Sequence, residues 1–237
     1  MLFSLQNPPE NFYNLDVNSI KQTLLRESNT LTRISEPTNS IKVVITSNVT
    51  SKVTGEPLII PRYVYAEIYS EHYLKNNYKG FNSDKVKKQM ALMSAITTQG
   101  KEDEAGHLIA SSLGGPGGIC FYNMVPQSKY SNRLPGYSGY RTILQQWNED
   151  EGVIRDFVKQ KCGHVKMTVI PVYTDTGIFK YRPRSIRMIA NFYSNDGLIV
   201  DQIDFFAQNP KPGEQALDAF ANLPKRPKNR ACPRRTG

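Results

Sequence analysis

Asp103-Glu104-Ala105-Gly106-His107-Leu108-Ile109-Ala110-Ser111-Ser112-Leu113-Gly114-Gly115 is the stretch on which the reading of this 237-residue sequence turns. From Gly100 to Gly118 the chain is rich in glycine with one embedded histidine, a composition of loops and turns rather than of continuous secondary structure. A neutral imidazole, with an ordinary pKa of about 6.5, accepts a proton near neutral pH. Gly106 lets backbone approach closely beside it. A histidine alone is as readily a satisfied core residue. Its weight comes from the residues downstream: Asn123-Met124-Val125-Pro126-Gln127, then Asn132 nine residues after Asn123. Either asparagine could also cap a helix or form a turn, Asn132 especially, because Pro135-Gly136 comes next.

Working outward, Ile41–Thr46 and Leu58–Ile60 are β-branched runs separated by the turn signal Thr54-Gly55-Glu56-Pro57, and read as strands. Ser83–Ile96 reads as a helix with Val86, Met90 and Met93 on one side. Val125–Asn132 reads as a short helix. Tyr140–Val158 reads as a longer one, carrying Ile143, Leu144, Trp147, Ile154, Phe157 and Val158 at helical spacing. Val165–Tyr173, Ile186–Phe192 and Leu198–Phe206 read as strands, joined by Asp175-Thr176-Gly177 and Ser194-Asn195-Asp196-Gly197. Residues 1–40 mix Asn, Ser, Thr and Pro around one short helix, Asn18–Glu27 with Ile20, Leu24 and Leu25, and read as an arm or small subdomain. The main domain spans 41–209. Residues 210–237 form a basic, proline-bearing tail with Lys225-Arg226-Pro227-Lys228-Asn229-Arg230 and Arg234-Arg235. No internal repeat is visible, which excludes a solenoid. The fold class is α+β, with a mainly antiparallel sheet and flanking helices.

An acidic residue ahead of Gly106-His107, the Leu113-Gly114-Gly115 turn, Asn123-x-x-Pro126-Gln127 and Asn132 stand in order within some thirty residues. Together they closely resemble the core of the DNA/RNA nonspecific endonucleases, ββα-metal (His-Me finger) proteins, in the branch with an Asp-x-Ala-Gly-His motif. The resemblance is strongest over residues 100–133 and extends more loosely to Phe206; residues 1–40 are not covered. It implies a ββα-metal core in which the histidine closes a strand and the asparagines enter on a helix. It implies sequence-nonspecific hydrolysis of DNA or RNA, with His107 as general base, Asn123 positioning the catalytic site and Glu104 orienting the imidazole. Asn132 would hold a single Mg2+ or Mn2+ through its side-chain carbonyl, which suffices because magnesium keeps several of its own waters.

Two departures qualify that implication. Several members carry arginine where Ala105 stands, so another cation must meet the phosphate; Lys129, Arg133 and Arg141 are the candidates. Members also carry a glutamate on the helix after the metal asparagine, whereas here the stretch is Ile143-Leu144-Gln145-Gln146. Gln145 or Gln146 could hydrogen-bond a metal-bound water without supplying charge, and weaker metal affinity is predicted. The competing reading is a catalytically impaired nuclease fold that only binds nucleic acid.

The chain carries 30 lysines and arginines against 21 acidic residues, a formal +9, with a sequence pI near 9.4. That balance favours a polyanionic partner, nucleic acid before membrane. A toxin role would add an inhibitor or immunity protein. The longest apolar run falls far short of the roughly 20 residues that span a bilayer. The N-terminus lacks the basic start and apolar core of a classical signal, so secretion, if it occurs, is expected by another route. Cys120, Cys162 and Cys232 are too few and scattered for a disulfide framework. Cys162-x-His164 is a weak zinc signal, and both residues read as structural.

Overall fold

The computed structural model describes residues 16–27, 29–36, 39–50, 55, 57–74, 103–116, 120–128, 141–174 and 181–209, with backbone alone for 74, 141–146 and 148. The body is a six-stranded antiparallel sheet. Its strands are β1 (Thr30–Arg33), β2 (Ile41–Thr50), β3 (Pro57–Ile68), β6 (Gly163–Val172), β7 (Ser185–Ser194) and β8 (Ile199–Gln208), lying side by side in that order. A separate hairpin-like pair, β4 (Asp103–His107) and β5 (Met124–Ser128), is inserted between β3 and β6 in sequence. The helices are α1 (Val17–Arg26), α2 (Ser70–Leu74) and α3 (Arg141–Lys159).

Alternation along the strands sends successive side chains to opposite faces, and both faces are used. On one, Val64, Ala66 and Ile68 of β3, Val165, Met167 and Val169 of β6, and Met188, Ala190 and Phe192 of β7 form the main core. They pack there with Val153, Ile154, Phe157 and Val158 of α3. Each Val, Ile, Met or Phe among them contributes about 1.5–3 kcal/mol when fully buried. On the opposite face α1 lays Ile20 against Ile45, Tyr63 and Ile170, with Leu24 and Leu25 alongside. Asp16 starts this helix by accepting hydrogen bonds from the backbone of Asn18 (2.9 Å) and Ser19 (3.1 Å), as an N-cap residue should.

Across the expected division at residue 40, β1 pairs with β2 in register Thr30↔Thr46 to Arg33↔Val43, and α1 packs against the sheet. The strands and the long helix stand where the hydrophobic pattern placed them. Ser83–Ile96 and 210–237 lie outside the described residues.

A correction concerns Val125–Asn132, expected as a short helix. Its described portion is strand β5, with Met124 opposite His107 and Ser128 opposite Asp103. The ladder to β4 and the burial of all five β5 residues, which a strand packed on both faces allows, decide for the strand. Likewise Asp103–His107, read as turn-rich, is a strand; the turns begin after the histidine. Among the described residues no helix is long and apolar enough to cross a membrane.

Candidate functional site

On β4, Asp103, Ala105 and His107 project to one face and Glu104 and Gly106 to the other. Each face buries differently. Ala105 and Met124 pack with Leu58, Ile60 and Tyr173 in a small cluster, whereas Val125 joins Leu108, Ile109 and Leu113 in the main core. The hairpin is therefore held between two apolar clusters, with His107 at the point where the strand gives way to a loop.

Asn123 fixes that loop. Fully buried, its side-chain oxygen accepts from Ile109 N (2.9 Å), and its amide donates to Ile109 O (3.0 Å) and Pro116 O (2.9 Å). Its own carbonyl receives Leu108 N at 2.9 Å. Asn123 ends a 3-10 turn, Phe121–Asn123, rather than entering on a helix. The glycine pair closes the same loop: Gly114 has φ 84°, and a Cβ on Gly115 would lie 1.9 Å from Ile109 O. Gly106 has a different reason. A Cβ there would fall 2.2–2.6 Å from the side chain of Gln127, which is buried across it. The Gly-His and Asn-x-x-Pro-Gln elements thus fit each other physically.

The chain has three histidines. His72 accepts from Tyr69 N through Nδ1 at 3.0 Å. His164 lies stacked between Tyr69 and Tyr193, with ring centroids 5.0 Å apart on each side. His107 is different: its Nε2 is buried and has no hydrogen-bond partner among the described residues. Burial pushes its pKa below the ordinary 6.5, which keeps the imidazole neutral and its lone pair available.

The far end of the hairpin is closed by residues that sequence reasoning missed. Arg182, completely buried, donates from Nε and Nη2 to the two Asp103 carboxylate oxygens at 2.7 and 2.9 Å. It also donates to Asn209 O at 2.8 Å and Asn209 Oδ1 at 3.2 Å. Asn209 in turn accepts from Ser128 N (2.8 Å) and donates to Pro126 O (2.9 Å) and Pro183 O (2.7 Å). Both hairpin strands are thereby tied to the ends of β7 and β8. The sequence signal was faint: an arginine between Tyr181 and Pro183, and an asparagine just past a strand.

The family model for DNA/RNA non-specific endonucleases matches residues 70–194, more than half of the chain. The chain belongs to that family. The endonuclease is a phosphodiester hydrolase of a metal-dependent family. Among solved structures it is similar to NucA from Streptococcus agalactiae with no metal bound (16% identity, 81% of this chain and 89% of that chain, TM-score 0.41). It is also similar to an extracellular endonuclease (12%, 76% and 83%, 0.44) and to the EndoG/EndoGI complex (12%, 73% and 75%, 0.42). No curated protein sequence matches the chain.

Of the site residues expected in the endonuclease, His107 and Asn123 come together around the loop that succeeds β4. Glu104 does not join them: three residues from His107 on a strand, it leaves from the opposite face, across from Gln127. Asn132, Lys129 and Arg133, and the side chains of Arg141, Gln145 and Gln146, lie outside the described residues. Downstream on α3, Glu151 receives Trp147 Nε1 at 2.8 Å, and burial pushes its carboxyl up to about 7.

No group of three or more His, Cys, Asp or Glu residues able to hold a metal occurs among the described residues. The described residues offer instead a neutral imidazole at the end of β4, beside a loop that Asn123 fixes. Cys162 is disulfide-bonded, a status the sequence left open, and Cys120 is free. With His164 stacked between tyrosines, Cys162-x-His164 makes no zinc site.

Proposed function

We propose that this endonuclease cuts DNA and RNA without base selection, with His107 as general base and Asn132 holding Mg2+ or Mn2+. The observation that carries the reading is the buried, unpartnered Nε2 of His107 within the family's motif. A water placed between Nε2 and a scissile phosphate gives its proton to Nε2 as its oxygen attacks phosphorus and the bond to the leaving oxygen breaks. Asn123 holds the loop so that the imidazole keeps its aim, and closure of the hairpin between two apolar clusters limits stray water. The divalent ion, when bound through the Asn132 carbonyl, supplies positive charge for the phosphate and the leaving oxygen. Gln145 or Gln146 orients water there. Lys129, Arg133 and Arg141 grip the phosphate backbone, sequence-independent contacts that a formal +9 favours.

The disulfide at Cys162 supports work in an oxidising compartment, outside the cytosol. A toxin role would call for a cognate inhibitor that covers the hairpin.

The test is cleavage of single- and double-stranded DNA and RNA with Mg2+, Mn2+ or EDTA, in wild type and His107→Ala. Metal-dependent cutting that His107→Ala loses, while keeping salt-sensitive DNA binding in EDTA, supports the reading. A wild-type protein that binds and cuts at no metal concentration makes it a binding module.

A further inference from the structure

We propose that Arg62 is a phosphate-binding residue of this nuclease, its guanidinium held ready for the substrate backbone beside the hairpin that carries His107. The inference rests on the nuclease reading above.

Arg62 is an extra residue in its strand. β2 and β3 pair as Ile45↔Tyr63 and then Thr46↔Pro61, so one residue of β3, Arg62, has no opposite number. Such bulges break the ladder locally and re-aim a side chain, and they are frequent beside active sites. The neighbours along β3, from Leu58 and Ile60 to Val64, Ala66 and Ile68, are buried and apolar; Arg62 is half-buried.

Two contacts fix the guanidinium. Its Nε donates to Ser47 Oγ at 2.9 Å, and Ser47 is itself bonded to Asn29. Its Cζ stands 4.6 Å from the centroid of the Tyr173 ring. Tyr173 is anchored by its hydroxyl, which donates to Pro61 O at 2.9 Å, and packs with Leu58, Ile60 and Met124. Met124 is the residue opposite His107. The plane of Arg62 is thus set by the same cluster that supports the histidine.

What remains free is the phosphate-binding edge. Neither Nη group makes a hydrogen bond or ion pair among the described residues, and a half-buried guanidinium with no anion is an arrangement completed by one. Arg182, beside the same cluster through Tyr181, offers nothing comparable because Asp103 and Asn209 take its donors.

The test compares the full chain with Arg62→Met, Arg62→Lys and His107→Ala on a labelled oligonucleotide. Binding is followed in EDTA across a salt series, cleavage in Mg2+, and thermal unfolding for each variant. Arg62→Met is expected to lower kcat/KM at least tenfold and to reduce the slope of log binding constant against log salt by about one. Arg62→Lys is expected to restore the slope but only some of kcat/KM, because an ammonium cannot repeat the bidentate contact. Wild-type kcat/KM and slope in Arg62→Met overturn the proposal. So does a lowered Tm with unchanged kcat/KM per folded molecule, which would make Arg62 only a rivet for Tyr173. If the wild type binds without cutting, or His107→Ala cuts as well as wild type, the nuclease reading fails instead, and the salt slope still decides Arg62.

Discussion

The two ends of the β4–β5 pair are built on opposite principles. At the Asp103–Ser128 end the polar groups meet in a buried network through Arg182 and Asn209, with contacts of 2.7–3.2 Å. At the His107 end, four residues along the same strand, a buried nitrogen has no partner among the described residues. An unsatisfied buried group is costly and persists only where the surrounding structure over-determines it. The satisfied end, the two apolar clusters and the Asn123 clamp together do that. Hydrogen bonds at one end fix position, which leaves the lone pair at the other end available for chemistry.

Removing the chemistry without the position should have the largest effect. His107→Ala is expected to lower kcat about 10²–10⁴-fold, the usual worth of a general base, with a Tm at or slightly above wild type; a large fall in Tm would make His107 a structural residue. The mirror experiment is Arg182→Met, which strands the Asp103 carboxylate in the interior. It should cost about 3–5 kcal/mol of stability in denaturant unfolding. Asp103→Asn combined with Arg182→Met should cost clearly less than Arg182→Met alone, and additive losses would break the view of the pair as a unit.

Asn123→Ala lies between the two ends, because it strands Ile109 N, Ile109 O and Pro116 O. An expected loss of about 1–3 kcal/mol per unsatisfied group should come with a fall in kcat larger than the unfolded fraction explains, measured at a temperature where the variant is folded. Gly106→Ala should cost about 1–3 kcal/mol by overpacking, and most of that should return in Gly106→Ala combined with Gln127→Ala. No recovery would separate the two motif elements.

The smallest effect sharpens the contrast by pH. The folded pKa of His107 is depressed, so the unfolded chain takes up its proton first as pH falls below about 6.5. The stability linked to this group is therefore present above that pH and lost as pH drops towards the folded value, and the loss should vanish in His107→Ala. The acid limb of kcat/KM should likewise lie below 6.5. An acid limb above it would mean that the ring is charged-stabilised.

The sequence by itself determined the family, the α+β class, the sheet strands from β2 onward and the helix that covers them, and singled out the histidine, because each is carried by local order: alternation of period two, apolar spacing of period 3.6, and motif residues within some thirty positions. The tertiary structure alone decided that 124–128 pairs as a strand, that Glu104 faces away from His107, and that β1 belongs to the sheet. It also decided that Arg182 and Asn209 brace the hairpin and that Arg62 stands on a bulge. These join residues up to 83 positions apart, or depend on which face a strand presents once its partner is chosen. Pro126 and Val125 suit a strand as well as the first turn of a helix. Only the ladder to β4 and burial on both sides select between them, and no local pattern encodes a partner that arrives from elsewhere in the chain.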